Sequence, residues 1–298
     1  MPELPEVETV RRSLTPHLSG HVVVRATLKR RDIAVMPGDP EGGFSRTRAP
    51  RPRPRRVRTG DMLQGSDLAE PIRRGKQLAL VTDDGPAIVV HLGMTGQLRW
   101  LRRGAQLRGQ AGEHVHAVWR LDDGSRVVFR DPRRFGGLWL LPNRAELERR
   151  WAALGPDGLR AEPAELTAAL ASAFSGSVRT LKAALLDQNV IAGVGNIYAD
   201  EALFRAGLHP ARTTGSLRAA DIDRLVAAVR TVLTAAVEAR GSTLRDYTDA
   251  DGMGGTAQLA HRVYGRAGQP CLVCGGPLSS AVIAQRTTVW CPACQPEP

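Results

Sequence analysis

Aromatic residues make up only 4% of the 298-residue chain, which argues against a broad stacking platform for unpaired bases. No apolar run approaches the roughly 20 residues needed to cross a bilayer. The opening string MPELPEVETVRR is acidic where a secretion signal is basic and then apolar, so a cytoplasmic protein is expected. Cysteine is missing from the first 270 residues, so no disulfide staples the bulk of the chain. Acidic residues are also in deficit: 30 Asp+Glu face 41 Lys+Arg, a formal charge of +11 that suits a polyanionic partner. What is present is ample apolar material. A hydrophobic content of 42% excludes a wholly disordered chain, and the length suits about two domains of roughly 150 residues.

Val7, Val10, Leu14 and Leu18 recur at helical spacing, Pro5 suits a first turn, and Glu6 and Glu8 suit the positive end of the helix dipole. Residues 5–18 therefore read as an amphipathic helix. Residues 21–141 carry short Val- and Leu-rich runs broken by turn residues, notably the hairpin pair Asp123-Gly124, and read as a β-sandwich or barrel. Residues 36–60 interrupt them with Pro, Gly and Arg and no periodicity. They read as an exposed, disordered insertion, either a nucleic-acid-binding arm or a solvated loop. Seven arginines and no acid lie in 42–60, so most of the excess charge resides there. From residue 146 the pattern turns helical, with Ala- and Leu-rich segments up to about residue 240.

The four cysteines form two CxxC pairs, Cys271/Cys274 and Cys291/Cys294, flanking 16 residues that include the strand-like VIAQRTTVW. Two such turns complete a tetrahedron, so one Zn2+ in a ribbon built on a hairpin is expected, and four thiolates make it structural. Arg286, near the hairpin tip, is either a phosphate contact or a plain surface arginine. At the other terminus, removal of Met1 frees the secondary amine of Pro2. Such an amine attacking a sugar C1′ gives an iminium that acidifies the C2′ proton and drives β-elimination. Glu3 beside it can act as general acid if burial raises its pKa.

MPELPEVETVRR, RRGKQLAL, HLGMTGQLR, DPRRFGGL, LKAALLDQ, GVGNIYADEALFRAGLHP, VYGRAGQPC and AQRTTVWC, in this order and spacing, resemble the bacterial formamidopyrimidine-DNA glycosylase family throughout the chain except 36–60. The resemblance implies an α+β multidomain fold. It comprises an N-terminal β-sandwich with flanking helices (1–142), a helix–two-turn–helix domain with a lesion loop (143–262) and a zinc ribbon (263–298). It implies a monomeric DNA glycosylase and abasic-site lyase of base-excision repair, with no membrane association, acting on double-stranded DNA that carries oxidised purines or abasic sites. By position, Pro2 would be the nucleophile, Glu3 the proton donor, Lys76 the donor in β-elimination and Arg286 the phosphate-binding arginine of δ-elimination. Met94, Arg133 and Phe135 would fill the void left by the flipped nucleotide. His114, Arg133, Arg134, Lys182 and Asn196 would contact DNA, Asn196 by opening and capping a helix.

Two departures stand out. Met253-Gly254-Gly255-Thr256-Ala257 replaces the Lys-Pro-Gly-Tyr-Phe usual in the family loop that closes over the flipped base. Lesion preference there is open to a shift toward oxidised pyrimidines, ring-opened purines or abasic sites. Ser177 stands where a basic phosphate contact is common, with Arg179 as the nearby substitute. A lesion-binding protein without catalysis is the reading from another class, and intact Pro2, Glu3 and Lys76 argue against it.

Overall fold

The computed structural model describes residues 2–39, 57–83, 85–107 and 112–297. Residues 40–56, the centre of the Arg/Pro-rich insertion, lie outside the described residues, and with them most of what was expected of 36–60. The described chain divides into two compact units. The first comprises residues 1–2, 6–151 and 240–255; the second comprises 3–5, 152–239 and 256–298.

The first unit holds α1 (Leu4–Leu18, shared at its start with the second unit) and nine strands. These are β1 (Val23–Leu28), β2 (Ala34–Val35), β3 (Ile72–Arg74), β4 (Gln77–Val81), β5 (Ala87–His91), β6 (Gln97–Leu101), β7 (Val115–Leu121), β8 (Arg126–Arg130) and β9 (Gly137–Leu141), followed by α2 (Arg144–Ala152). They form a four-stranded sheet ordered β1-β7-β8-β6 and a five-stranded sheet ordered β2-β9-β5-β4-β3. Only the short β2–β9 pair is parallel; the other strands are joined antiparallel, as tight hairpins allow. Leu98, Trp119, Val127 and Phe129 of one sheet share a core with Leu78, Leu80, Ile88 and Leu138 of the other, and Val7, Val10 and Leu14 of α1 join it. This is the expected β-sandwich, with the expected helix beside it. The Asp123-Gly124 pair does turn a hairpin: Gly124 takes φ +85°, and the Asp123 carboxylate accepts the Ser125 N–H at 2.8 Å.

The second unit packs α3 (Pro163–Phe174), α4 (Leu181–Leu186), α5 (Asn196–Ala206) and α6 (Ala219–Glu238), and ends in the hairpin β10 (Ser279–Ile283) and β11 (Arg286–Trp290). Ile222, Leu225, Val226, Val229 and Leu233 form the apolar stripe that α6 turns toward α3 and α5. Among the described residues, no helix is long and apolar enough to cross a membrane.

The acids of the opening motif explain why it folds as it does. Each is buried, and each holds a distant segment. Glu6 accepts the Ser242 N–H at 2.7 Å, while the Tyr247 hydroxyl donates to the Glu6 carbonyl. Glu8 receives Arg73 at 2.8 Å and also Arg11 and Arg12. Burial alone would raise the Glu8 carboxyl, but Arg11 and Arg73 outweigh it and hold it at about 2.

Candidate active site and metal centre

In the first unit, Pro2 is buried just ahead of α1. Lys76 occupies the second position of the two-residue turn between β3 and β4, where Gly75 takes φ +55° as a type II′ hairpin needs. That turn is tethered to α1. Arg73 reaches Glu8 through Nε and the Gly75 carbonyl through Nη1 at 2.8 Å, so the helix that follows Pro2 also holds the loop that carries Lys76. His91, paired with Gln77 on β5, hydrogen-bonds the Lys76 backbone, and burial pushes its pKa down to about 4, so it stays neutral.

The three expected void-filling residues lie on two loops of this unit. Met94, well exposed, is on the β5–β6 loop; Arg133 and Phe135 are on the β8–β9 loop. The Arg133 guanidinium sits 4.5 Å over the Phe135 ring, a cation–π pair that orders an otherwise loose arginine. Glycines let the two loops meet backbone to backbone. A Cβ on Gly93 (φ +62°) would run into the Phe135 carbonyl carbon, and one on Gly136 into the His91 carbonyl oxygen. Asp131, fully buried, closes the junction: it accepts from Thr95 at 2.6 Å and from the Gly136 N–H at 2.7 Å. His114 (φ +57°) and Arg134 (φ +54°) both hold left-handed backbone, which non-glycine residues adopt at a cost, and Arg134 pairs with Asp32 at 3.1 Å.

In the second unit, Glu3 takes the start of α5. Its carboxylate accepts the N–H groups of Gly195 at 2.8 Å, Ile197 at 2.9 Å and Tyr198 at 3.3 Å, the donors that a helix leaves unpaired at its first turn. Gly195 must be glycine, because a Cβ there would collide with the Glu3 side chain. This corrects the expectation for Asn196. It is the first residue of α5, but Gly195 is the cap position and Asn196 makes no capping bond. Glu3 already fills the donors that would cap or bind a phosphate, and the Asn196 amide donates instead to the Thr287 carbonyl at 3.1 Å.

Lys182 is a second correction. Its side chain is fully buried and pairs with Asp200, and it also donates to the Asn196 carbonyl at 3.0 Å, so it has no face to offer DNA. Burial lowers the Lys182 pKa and, against the pull of Lys182, raises that of Asp200 to about 6. Arg179 is engaged with Asp187 at 3.0 Å and with the Ala183 carbonyl, while Ser177 serves the turn that meets Gly215.

The ribbon brings the four cysteines together. Their sulfurs all lie within 4.8 Å of one another, Cys274 and Cys291 at 3.4 Å and Cys271 and Cys294 at 4.0 Å. Four thiols at the corners of so small a tetrahedron fit zinc, with bonds of about 2.3 Å to each, and leave no open position. The tip is a two-residue turn in which Ala284 (φ +51°) and Gln285 (φ +59°) both take the left-handed conformation usually reserved for Asn-Gly. Arg286 follows at once, exposed at the start of β11.

The segment expected to close over the flipped base is anchored as well. Asp249, fully buried, accepts the Asp251 and Met253 N–H groups and pairs with Arg240. Met253 is exposed, and Gly255 admits no side chain because the Gly241 carbonyl lies against it. Within the second unit, Ala257 borders a cavity of about 640 Å3 walled by Tyr198, Phe204, Val232, Ala236 and His261. Sequence reasoning missed these buried acids: Asp131, Asp200, Asp249 and also Glu201, which accepts the N–H groups of Arg262, Val263 and Tyr264. An acid on an apolar stripe was the available signal, as with Asp200 between Ile197 and Leu203.

Comparison with known proteins agrees with this arrangement. The profile of the formamidopyrimidine-DNA glycosylase N-terminal domain matches residues 1–138, that of its H2TH domain residues 154–248, and that of the zinc finger found in FPG and IleRS residues 268–296. The formamidopyrimidine-DNA glycosylase of Gloeobacter violaceus is 42% identical over 301 residues, covering 99% of this chain and 98% of its own; that of Cereibacter sphaeroides is 41% identical over 304 residues, covering 99% and 100%. The crystal structure of the MutM (Fpg) protein of Thermus thermophilus superposes with a TM-score of 0.81 at 39% identity, covering all of both chains. Lactococcus lactis Fpg in complex with abasic-site DNA does so with 0.82 at 27% identity, covering 99% of this chain and 100% of its own. With its three domain profiles, full-length relatives and four-cysteine zinc centre, the chain belongs to the formamidopyrimidine-DNA glycosylase family.

Proposed function

We propose that the protein is a bifunctional DNA glycosylase and abasic-site lyase that removes oxidised purines, 8-oxoguanine and formamidopyrimidines, from duplex DNA. The observation that carries this reading is the seating of Glu3 on the first turn of α5, next in sequence to a buried Pro2. The Pro2 amine attacks C1′ of the flipped nucleotide, the bond to the base breaks, and the departing base and ring oxygen take up protons, with Glu3 serving the latter. The nitrogen loses its proton, and its lone pair forms the C1′=N bond as the C1′–O4′ bond of the sugar ring breaks, leaving a cationic iminium. This draws the electrons of the C2′–H bond as the proton leaves, and the 3′ phosphate departs; a second elimination expels the 5′ phosphate. Lys76 stands for the first departing phosphate. Arg286 steadies phosphate charge without giving up its own proton, since a guanidinium barely deprotonates. Met94, Arg133 and Phe135 fill the vacated stack, and His114 and Arg134 contact the DNA backbone. The protein acts as a cytoplasmic monomer on the nucleoid. The proposed domain limits stand at 142 and 262, with residues 240–255 of the middle domain packed in the first compact unit.

The loop around Met253 favours a second reading of substrate range. Exposed Met253 and the small residues after it leave the flipped base without an aromatic cover, which shifts preference toward ring-opened purines, oxidised pyrimidines and abasic sites. Borohydride trapping tests both. Duplexes carrying 8-oxoguanine, formamidopyrimidine, dihydrouracil or an abasic site should yield a covalent adduct that blocking or replacing Pro2 abolishes. No adduct with any of them overturns the enzyme reading, and their relative yields rank the lesions.

A further inference from the structure

Helix α5 carries two groups of the proposed reaction on two of its faces. Its amino end holds Glu3 through three backbone N–H groups. Its flank holds strand β11, the strand that begins with Arg286. Asn196, in the first turn, donates to the Thr287 carbonyl at 3.1 Å; Asp200, one turn later, accepts the Val289 N–H at 3.2 Å. The spacings match: four residues of helix advance about 6 Å, and two residues of antiparallel strand advance about 6.8 Å. Thr287 and Val289 direct these groups away from β10, so α5 takes the outer edge of the hairpin where another strand would pair.

A buried aspartate on an apolar stripe is costly unless its charge is met. Lys182 meets it from α4 and also bonds the Asn196 carbonyl, so one ammonium ties together both points at which α5 grips the strand. Glu3 and Arg286 are close enough for their charges to act on Lys182. A rigid connection therefore runs from the carboxylate of Glu3, along one turn of α5, to the strand that aims Arg286.

We propose that Asp200 is a positioning residue. With Lys182 as its counter-ion, it fixes the register of β11 on α5 and so sets where Arg286 stands relative to Glu3, which governs the second, phosphate-expelling elimination. This rests on the role given to Arg286 above. Removing the grip leaves Pro2 and Glu3 in place and frees Arg286 by the length of a strand step. The first elimination proceeds and the second falters.

Two variants test it, with Asp200→Glu as the rescue. Asp200→Asn keeps the shape but leaves Lys182 without its counter-charge. Lys182→Met with Asp200→Leu removes both charges at similar volume, an exchange that folded proteins tolerate well. Each is loaded with one zinc per chain, then given an abasic-site duplex, and the ratio of single- to double-elimination product is read beside the rate of borohydride trapping. The expected result is a rise of about fivefold or more in that ratio, with trapping changed less than twofold, and recovery of part of the lost second elimination in Asp200→Glu. An unchanged ratio in zinc-loaded variants overturns the proposal, as does an equal loss of trapping and second elimination. If the unsubstituted protein gives no adduct, the functional reading itself has failed, which is a different outcome.

Discussion

The Thr95 hydroxyl donates to the Asp131 carboxylate at 2.6 Å, and through that bond the loop bearing Met94 is fastened to the loop bearing Arg133 and Phe135. Asp131 also accepts from Gly136, so one buried acid shapes the whole surface proposed to enter the duplex. Thr95→Val keeps the volume and removes the donor. A bond to a charged group is worth about 1.5–3 kcal/mol, and a loss of about 1.4 kcal/mol from the transition state is a tenfold loss in rate. The variant should lose roughly tenfold or more in kcat/KM for excision from duplex DNA. Trapping on a single-stranded abasic oligonucleotide, which has no stack to enter, should stay near normal. Equal losses on both substrates would show that the clamp serves only folding.

Glu8 gives the fold an acid limit. Its folded pKa of about 2 lies below the ordinary value of 4.5, so its contribution to stability is complete above about 4.5 and is lost as pH falls toward 2. Circular dichroism through that window should show a steepening loss of stability in the natural protein and a shallower one in Glu8→Gln, which is weaker at neutral pH to begin with. The Lys76 turn, held through Arg73, should loosen in the same range. A Glu8→Gln curve that tracks the natural one would remove Glu8 from the account.

Chelation should release one zinc per chain and unlock the ribbon first. Hydrogen exchange at Val289, whose N–H bonds Asp200, should accelerate by orders of magnitude, while amides of α6 keep their protection. Cys291→Ser should reproduce this. Retained protection at Val289 after metal loss would mean that α5, and not the metal, holds the strand.

The segment proposed as the lesion loop can be given the aromatics usual in the family. Ala257 adjoins the 640 Å3 cavity, so Ala257→Phe has space to fill and should raise the melting temperature; burying a ring contributes about 1.5–3 kcal/mol. Adding Thr256→Tyr at an exposed position should then raise 8-oxoguanine excision relative to abasic-site cleavage. Unchanged lesion ranking would take specificity away from these two positions. Gly255 must be left alone, since the Gly241 carbonyl excludes a Cβ.

Much of this is legible in the sequence because it is local. Helical spacing from Val7 to Leu18 announces α1, the Val/Leu runs announce the sandwich, and two CxxC pairs announce the zinc ribbon. What is not legible is long-range. Nothing near Glu3 says that its partners lie at Gly195 and Ile197, so the sequence alone makes Asn196 a cap that the glutamate has already supplied. The resemblance makes Lys182 a DNA contact. Its place on the stripe with Leu181 and Leu185, matched by Asp200 beside Ile197 and Leu203, marks a buried pair instead.

The grip of Glu3 on α5 also orders events in time. The three N–H groups that Glu3 accepts follow it by 192 residues or more, and Glu6 waits 236 residues for Ser242. Contacts of such separation are the slow ones in folding, and a chain emerging at about 5–20 residues per second leaves Glu3 without these donors for roughly ten seconds or more. The end of the chain proposed to carry the reaction is therefore synthesised first and assembled late. A chain cut short before Gly193 carries Pro2 and Glu3 without the first turn of α5 that receives the carboxylate.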